Sequence, residues 1–272
     1  MMPHLMNSLS PGNGIPPISA LGNLLRASDS GNARWVPHDG RMAAVLALVL
    51  CCSLIGGGCA TSRDSGTAGW QTLFPIDGVP SGWVVRAWND VRNPADGNPV
   101  WRVEQGVLQG GEPRGSWLLS EREYGDFELE FEFKLGERGN SGCALRAPML
   151  GDPAFDGIEL QMADFRYNPE AKDSELTGGL YRAVAPIRQV YRPTEWNRYQ
   201  ITCRGPRITA ILNDDRILDV NLDDQTSTVK RHDGTDARPL RDRPRRGHIG
   251  FQDLSRDGAN VQIRNARVRP LE

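Results

Sequence analysis

Asp126-Phe127-Glu128-Leu129-Glu130-Phe131-Glu132-Phe133-Lys134-Leu135 alternates apolar and charged side chains without a break. A period of two belongs to a β-strand with one buried face. Phe127, Leu129, Phe131, Phe133 and Leu135 are expected to face a core. Glu128, Glu130, Glu132 and Lys134 are expected to face water and to discourage edge pairing. Shorter runs of the same kind recur at 101–108, 117–120, 143–146, 178–183, 196–204, 207–212, 216–221, 248–252 and 261–268, separated by Gly, Pro and Asp. Asn213-Asp214 is a tight-turn signal between two of them. From Trp70 onward no stretch carries a helical period. The pattern predicts an all-β sandwich of two antiparallel sheets. The charged segment 223–246, with two prolines, reads as a long surface loop.

The ends divide the 272 residues further. Residues 1–41 are rich in Pro, Gly, Ser and Asn, and read as a disordered leader or a misassigned start, with Val36 as an alternative initiation point. Residues 42–59 combine an apolar run, Met42 to Ile55, with Gly56-Gly57-Gly58-Cys59. That is a signal-peptide core followed by small residues, too short to span a bilayer comfortably. Cys59 stands where bacterial lipoproteins are lipidated, although Gly56 occupies the usual leucine position. A single anchored helix is the alternative. Residues 60–69 read as a linker and 70–272 as one domain. Export to the periplasm or outer membrane, with a lipid anchor, is the expectation. A formal charge of −2 gives no electrostatic case for nucleic acid.

Cys143 and Cys203 lie on apolar phase, so they read as buried small residues, with a disulfide the alternative that export permits. No Cys/His spacing suggests zinc, and His232 and His248 read as solvated. Trp101 and Trp196 read as core.

Phase selects the candidate site. In Gly157-Ile158-Glu159-Leu160-Gln161-Met162-Ala163-Asp164, Ile158, Leu160 and Met162 point one way, and Glu159 and Gln161 the other. Arg146, Tyr181 and Gln252 likewise oppose core residues on their own runs. If these strands share a sheet, its outer face is a groove equipped for hydroxyls and carbonyls; the bland alternative is a wet sheet face.

An ordered set of motifs carries a resemblance. It runs Trp117-Leu118-Leu119, Tyr124 to Leu129, GNSGCALR (Gly139 to Arg146), GIELQ (Gly157 to Gln161), TGGLY (Thr177 to Tyr181), EWN (Glu195 to Asn197), RRGHIGFQD (Arg245 to Asp253) and VQIRNARVRPL (Val261 to Leu271). The set resembles the 3-keto-disaccharide hydrolase family over nearly all of residues 70–272. The resemblance implies a concanavalin-like jelly-roll β-sandwich. It also implies cleavage of glycosides whose C3 hydroxyl has been oxidised to a ketone, which acidifies the C2 hydrogen and allows β-elimination at C1. A non-catalytic carbohydrate-binding module of the same fold is the alternative.

Such chemistry needs a base near C2, a group polarising the C3 oxygen and a proton source at the glycosidic oxygen. On the resemblance, Glu159 is the expected base and Arg146 the enolate stabiliser, with an Arg146–Glu159 ion pair as the alternative. Asn140 and Gln161 would orient hydroxyls; Tyr181, and less strongly Trp117 and Trp88, would stack on sugar rings. The Glu159, Gln161, Asp164 spacing resembles the catalytic strand of jelly-roll β-glucanases, but with an amide in the middle; Asp164 either acts with Glu159 or caps the following loop. Family members often carry a histidine after the Gly-Phe-Gln strand, and here Gln252 is followed by Asp253-Leu254-Ser255-Arg256-Asp257. If that histidine serves as acid, base or metal ligand, this chain is slower, uses Asp253 or Asp257 instead, or only binds. No cofactor is required by the sequence; hard oxygen ligands at Glu159 or Asp164 would suit Ca²⁺ or Mg²⁺. Oligomeric state is not legible.

Overall fold

A computed structural model of the chain describes residues 69–271. The leader, the signal segment, Cys59 and all of the linker but residue 69 lie outside the described residues. The strands are β1 (Gln71–Thr72), β2 (Trp83–Ala87), β3 (Val100–Glu104), β4 (Val107–Glu112) and β5 (Ser116–Tyr124). β6 (Phe127–Lys134) and β7 (Asn140–Ala147) precede one helical turn, α1 (Pro153–Asp156), and then β8 (Ile158–Ala163). There follow β9 (Asn197–Arg204), β10 (Arg207–Leu212), β11 (Asp215–Asn221), β12 (Val229–Lys230), β13 (Asp236–Ala237), β14 (Gly247–Asp253) and β15 (Gln262–Pro270).

Two antiparallel sheets form a concanavalin-like jelly roll. The larger has the order β11-β10-β9-β6-β15-β4-β3, with β1 also paired to β15. The smaller runs β2-β5-β14-β7-β8. The core lies between them, built from Phe127, Phe131 and Phe133 of β6 against Cys143 and Leu145 of β7, Leu160 of β8 and Phe251 of β14. Cys143 and Cys203 are buried free thiols in that layer. Trp101 is also buried, its Nε1 donating to Ser116 Oγ at 2.9 Å.

The alternating run that predicted the fold is β6, at the middle of the larger sheet. Its outward glutamates are not bare. The register sets Glu128, Glu130 and Glu132 opposite Arg269, Arg267 and Arg264 of β15, and each pair is bridged. Trp70 stacks beneath Arg267 and Arg269, and the Arg264 guanidinium lies 4.0 Å from the Trp196 ring. Trp196 therefore belongs to this outer ladder rather than the core.

Three other expectations are corrected. Residues 178–183 form isolated bridges through Leu180 rather than a strand, because Gly178 (φ +98°) and Arg182 (φ +59°) take turn conformations. Segment 223–246 contains the β12–β13 hairpin instead of running as an unstructured loop. His248 is buried, its Nδ1 2.7 Å from Ser120 O, because the ladder shifts register beside it.

The same register shift relocates Arg146. His248 pairs with Ala147 and Gly250 with Ala144, so Leu145 and Arg146 together oppose the single residue Ile249. A bulge of this kind re-aims the side chain, and Arg146 takes φ +56°. Its guanidinium turns inward and crosses to the larger sheet. It donates to Gly125 O (2.7 Å), Gly205 O (2.8 Å) and Asp126 Oδ1 (2.9 Å).

Candidate active site

The outer face of the smaller sheet is organised in rows by its register. On β7 and β8, Asn140 pairs with Ala163, Gly142 with Gln161 and Ala144 with Glu159. β14 extends the last row, with Gly250 beside Ala144. Glu159 thus lies on a floor of Ala144 and, in the adjoining row, Gly142, over which its carboxyl extends. In the next row Gly142 pairs with Gln161, and Gln252 of β14 opens onto the same cavity.

Above this floor lies a cavity of about 430 Å³. Asn140, Glu159, Gln161, Asp164, Tyr181 and Gln252 all line it, as do Trp88, Asp152, Tyr167, Glu175, Arg182, His232 and Arg114. Arg146 does not: its fully buried guanidinium pairs with Asp126 and is committed to the larger sheet. Trp117 does not line it either. It is buried beside Val91, Leu119, Ala144 and Ala147, and its Nε1 donates to Trp88 O (3.1 Å), so it supports the backbone of the tryptophan that does.

Glu159 is 3% exposed, and its Oε1 has no hydrogen-bond partner. Burial, and secondarily the neighbouring Asp152 carboxylate, push its pKa well above the usual carboxylate range. Both effects favour the protonated carboxyl. Asp152 is the N-cap of α1, its Oδ1 accepting from Ala154 N at 3.0 Å. Burial raises it to about 7, against the opposing pull of that hydrogen bond. Two carboxyl groups with separated proton affinities thus share one cavity.

Asp164 is of another kind. Burial would raise its pKa, but Arg166 bonds both carboxylate oxygens at 2.7 Å and donates its backbone N–H, which holds the group ionised and below its ordinary value. Tyr191 adds a bond at 3.3 Å. Asp164 caps the loop that follows β8, with its charge paired to Arg166. Gln161 accepts from Met162 N and donates to Glu175 O, so its amide orientation is fixed. Among the described residues Gln252 has no side-chain hydrogen bond to protein.

One wall is aromatic. The Tyr181 ring lies 5.8 Å from Phe155 and 6.0 Å from His232, and His232 is also edge-on to Trp88 (5.6 Å) and Phe155 (5.2 Å). The packed rings and the nearby Arg182 lower the His232 pKa, although the residue itself stays exposed, as expected from sequence. His232 arrives on the β12–β13 turn, which Arg231 clamps to α1 through Asp156 (2.6 and 3.0 Å) while Arg182 bonds Lys230 O (2.8 Å).

Sequence reasoning missed His232 and Asp152. The available signals were an Asp-Pro helix start at 152–153 and a lone histidine in a loop, neither of which reports a cavity. Asp253 and Asp257, the candidate substitutes for the absent late histidine, lie elsewhere. Asp253 is buried against Gly110 and Asp257 pairs with Arg138. Among the described residues no three His, Cys, Asp or Glu side chains gather as metal ligands.

The model of a 3-keto-alpha-glucoside-1,2-lyase-like domain matches residues 69–269. The chain belongs to that family. Within the 3-keto-alpha-glucoside-1,2-lyase-like family, a 3-keto-disaccharide hydrolase of Bacteroides thetaiotaomicron is 27% identical over 75% of this chain and 79% of its own. A candidate glycosyl hydrolase of Parabacteroides distasonis has the same fold at a TM-score of 0.61, with 26% identity over 74% of this chain and 99% of its own. A second Parabacteroides distasonis structure aligns at a TM-score of 0.56 and 21% identity, covering 78% and 98%.

Proposed function

We propose that the chain cleaves the glycosidic bond of 3-keto-glycosides. The observation that carries this reading is the pair Asp152 and Glu159, two buried carboxyl groups lining one cavity, whose burial raises Asp152 to about 7 and Glu159 well above the usual carboxylate range. Asp152 as carboxylate takes the C2 hydrogen as a proton, and the C2–H electron pair moves into the enolate of the C3 ketone. The amides of Gln161 and Gln252 flank the position of the enolate oxygen, the part expected of Arg146 from sequence. The C1–O bond then breaks. Its oxygen leaves with the proton of Glu159, giving a glycal, and addition of water across C1=C2 yields the free 3-keto sugar. We assign Glu159 as the proton donor rather than the base, because its burial without a hydrogen-bond partner favours the protonated form.

The test is incubation of the protein with a 3-keto-disaccharide while aglycone release is followed. Release that falls at least about a hundredfold in Glu159→Gln supports the reading. No release by wild type, with binding measurable by calorimetry, would identify a carbohydrate-binding module. We also infer export and lipid tethering at Cys59, which metabolic labelling with palmitate tests: label on wild type and none on Cys59→Ser is the expected outcome.

A further inference from the structure

The cavity has two ends. Glu159, Asp152, Tyr181 and His232 line one. Four residues along β8, at about 3.4 Å each, the Ala163–Asn140 row marks the other, ~14 Å away. That far end is built differently. Tyr167 lines it, and its phenol accepts from Arg114 Nη2 at 3.1 Å. The Arg256 guanidinium lies 4.4 Å from the Tyr167 ring centroid. Asn140 is buried there, and its Oδ1 lacks a partner.

The charges do not cancel. Asp164 is neutralised by Arg166 and Glu175 by Arg182. Arg114 and Arg256, both exposed, have no carboxylate within ion-pair distance among the described residues. Burial would raise the Tyr167 pKa, yet Asn140 and the two arginines bring it below its ordinary value. The surroundings of this phenol already favour a negative charge.

We propose that the Arg114–Tyr167–Arg256 end is an aglycone subsite for leaving groups that carry an anionic oxygen group, a carboxylate or a sulfate ester. The placement rests on the function proposed above: the 3-keto sugar occupies the end that holds Glu159 and Asp152, and the leaving group points to the end that holds the two arginines. A guanidinium recognises such oxyanions through charge-assisted, often bidentate hydrogen bonds.

The experiment compares three 3-keto-glucosides that differ only in the aglycone: a benzoate, a benzamide of the same shape and a phenyl sulfate. At low salt, wild type should favour an anionic aglycone over the amide roughly tenfold or more in kcat/KM. The preferred anion identifies which oxyanion the subsite takes. In Arg114→Gln and Arg256→Gln, both surface changes, that ratio should fall toward one, and added salt should shrink it in wild type. Equal wild-type values for all three substrates would overturn the subsite. If none of the three is turned over, the same ratios are read as binding constants by calorimetry. An anion preference lost in the arginine variants would then uphold the subsite while the catalytic reading fails, and equal binding would refute it.

Discussion

A side chain on Gly142 would occupy the place of the Glu159 carboxyl: a Cβ built there would lie 1.8 Å from Glu159 Oε1. The glycine opposes Gln161 on β7, one row from Glu159, and its missing side chain is what lets the acid lie flat across the sheet. Gly142→Ala should therefore displace Glu159 with little loss of fold. Aglycone release should fall at least tenfold while the melting temperature shifts by only a few degrees. Unchanged release would show that the position of Glu159 does not matter.

Asp152 gives the reaction its acid-side limb. With a pKa of about 7, kcat/KM should rise as pH passes through that value, and the decline at higher pH should mark deprotonation of Glu159. Asp152→Asn should abolish the rising limb and reduce kcat by about two orders of magnitude or more. The pH profile of both proteins checks this, and an unaltered rising limb in the variant would remove Asp152 from the mechanism.

Arg146 separates structure from chemistry. Its three hydrogen bonds tie β7 to the turns at Gly125 and Gly205, and Arg146→Met leaves Asp126 and those carbonyls without it. Removing one partner of a buried ion pair costs about 3–5 kcal/mol, and the exposure of Asp126 (36%) places the expected loss at the lower end. Denaturant unfolding measures it. KM for the folded fraction at low temperature should stay within about threefold of wild type.

Asp253 should make stability depend on pH without touching activity. Burial raises its pKa to about 6, and Oδ2 has no partner. Because the folded value lies above the unfolded one, its contribution is fully present below pH ~4 and is lost as pH rises through about 6. Asp253→Asn keeps an acceptor for Ser255 N and removes the ionisation. The variant should gain on wild type between pH 4 and 8, by up to about 3 kcal/mol at the upper end. Parallel melting curves across that range would contradict this.

The residues explain which of these features sequence could reveal. β6 and β8 announce themselves because strict alternation over six or more residues has one structural meaning. Phase alone set Glu159, Gln161 and Gln252 opposite the core on their own strands, and the sheet order that brings them to one face came from the structure. Phase failed at Arg146 and His248, where a single register shift in the β14–β7 and β14–β5 ladders turns side chains over; a bulge leaves no mark in a hydrophobic pattern. Trp117 has the outward phase expected of a stacking residue, but the loop carrying Trp88 covers it. His232 and Asp152 come to the cavity on loops, whose course depends on tertiary ion pairs such as Arg231–Asp156. The proton affinity of Glu159 was hidden for a related reason: it is set by burial over Gly142 and Ala144 of the neighbouring strand, beside the Asp152 carboxylate.

Deuterium incorporation tests the central claim most directly. The protein is given a 3-keto-disaccharide in D₂O, and the released 3-keto sugar is examined at C2 by mass spectrometry and proton NMR at early times, against a control for spontaneous exchange. Elimination and hydration through Asp152 and Glu159 predict solvent deuterium at C2 of the product wherever the proton on Asp152 exchanges before water adds, and a primary isotope effect on release from a C2-deuterated substrate. Product that retains its original C2 hydrogen, released with no isotope effect at C2, would show that the bond was cleaved by direct displacement at C1, and would contradict the account.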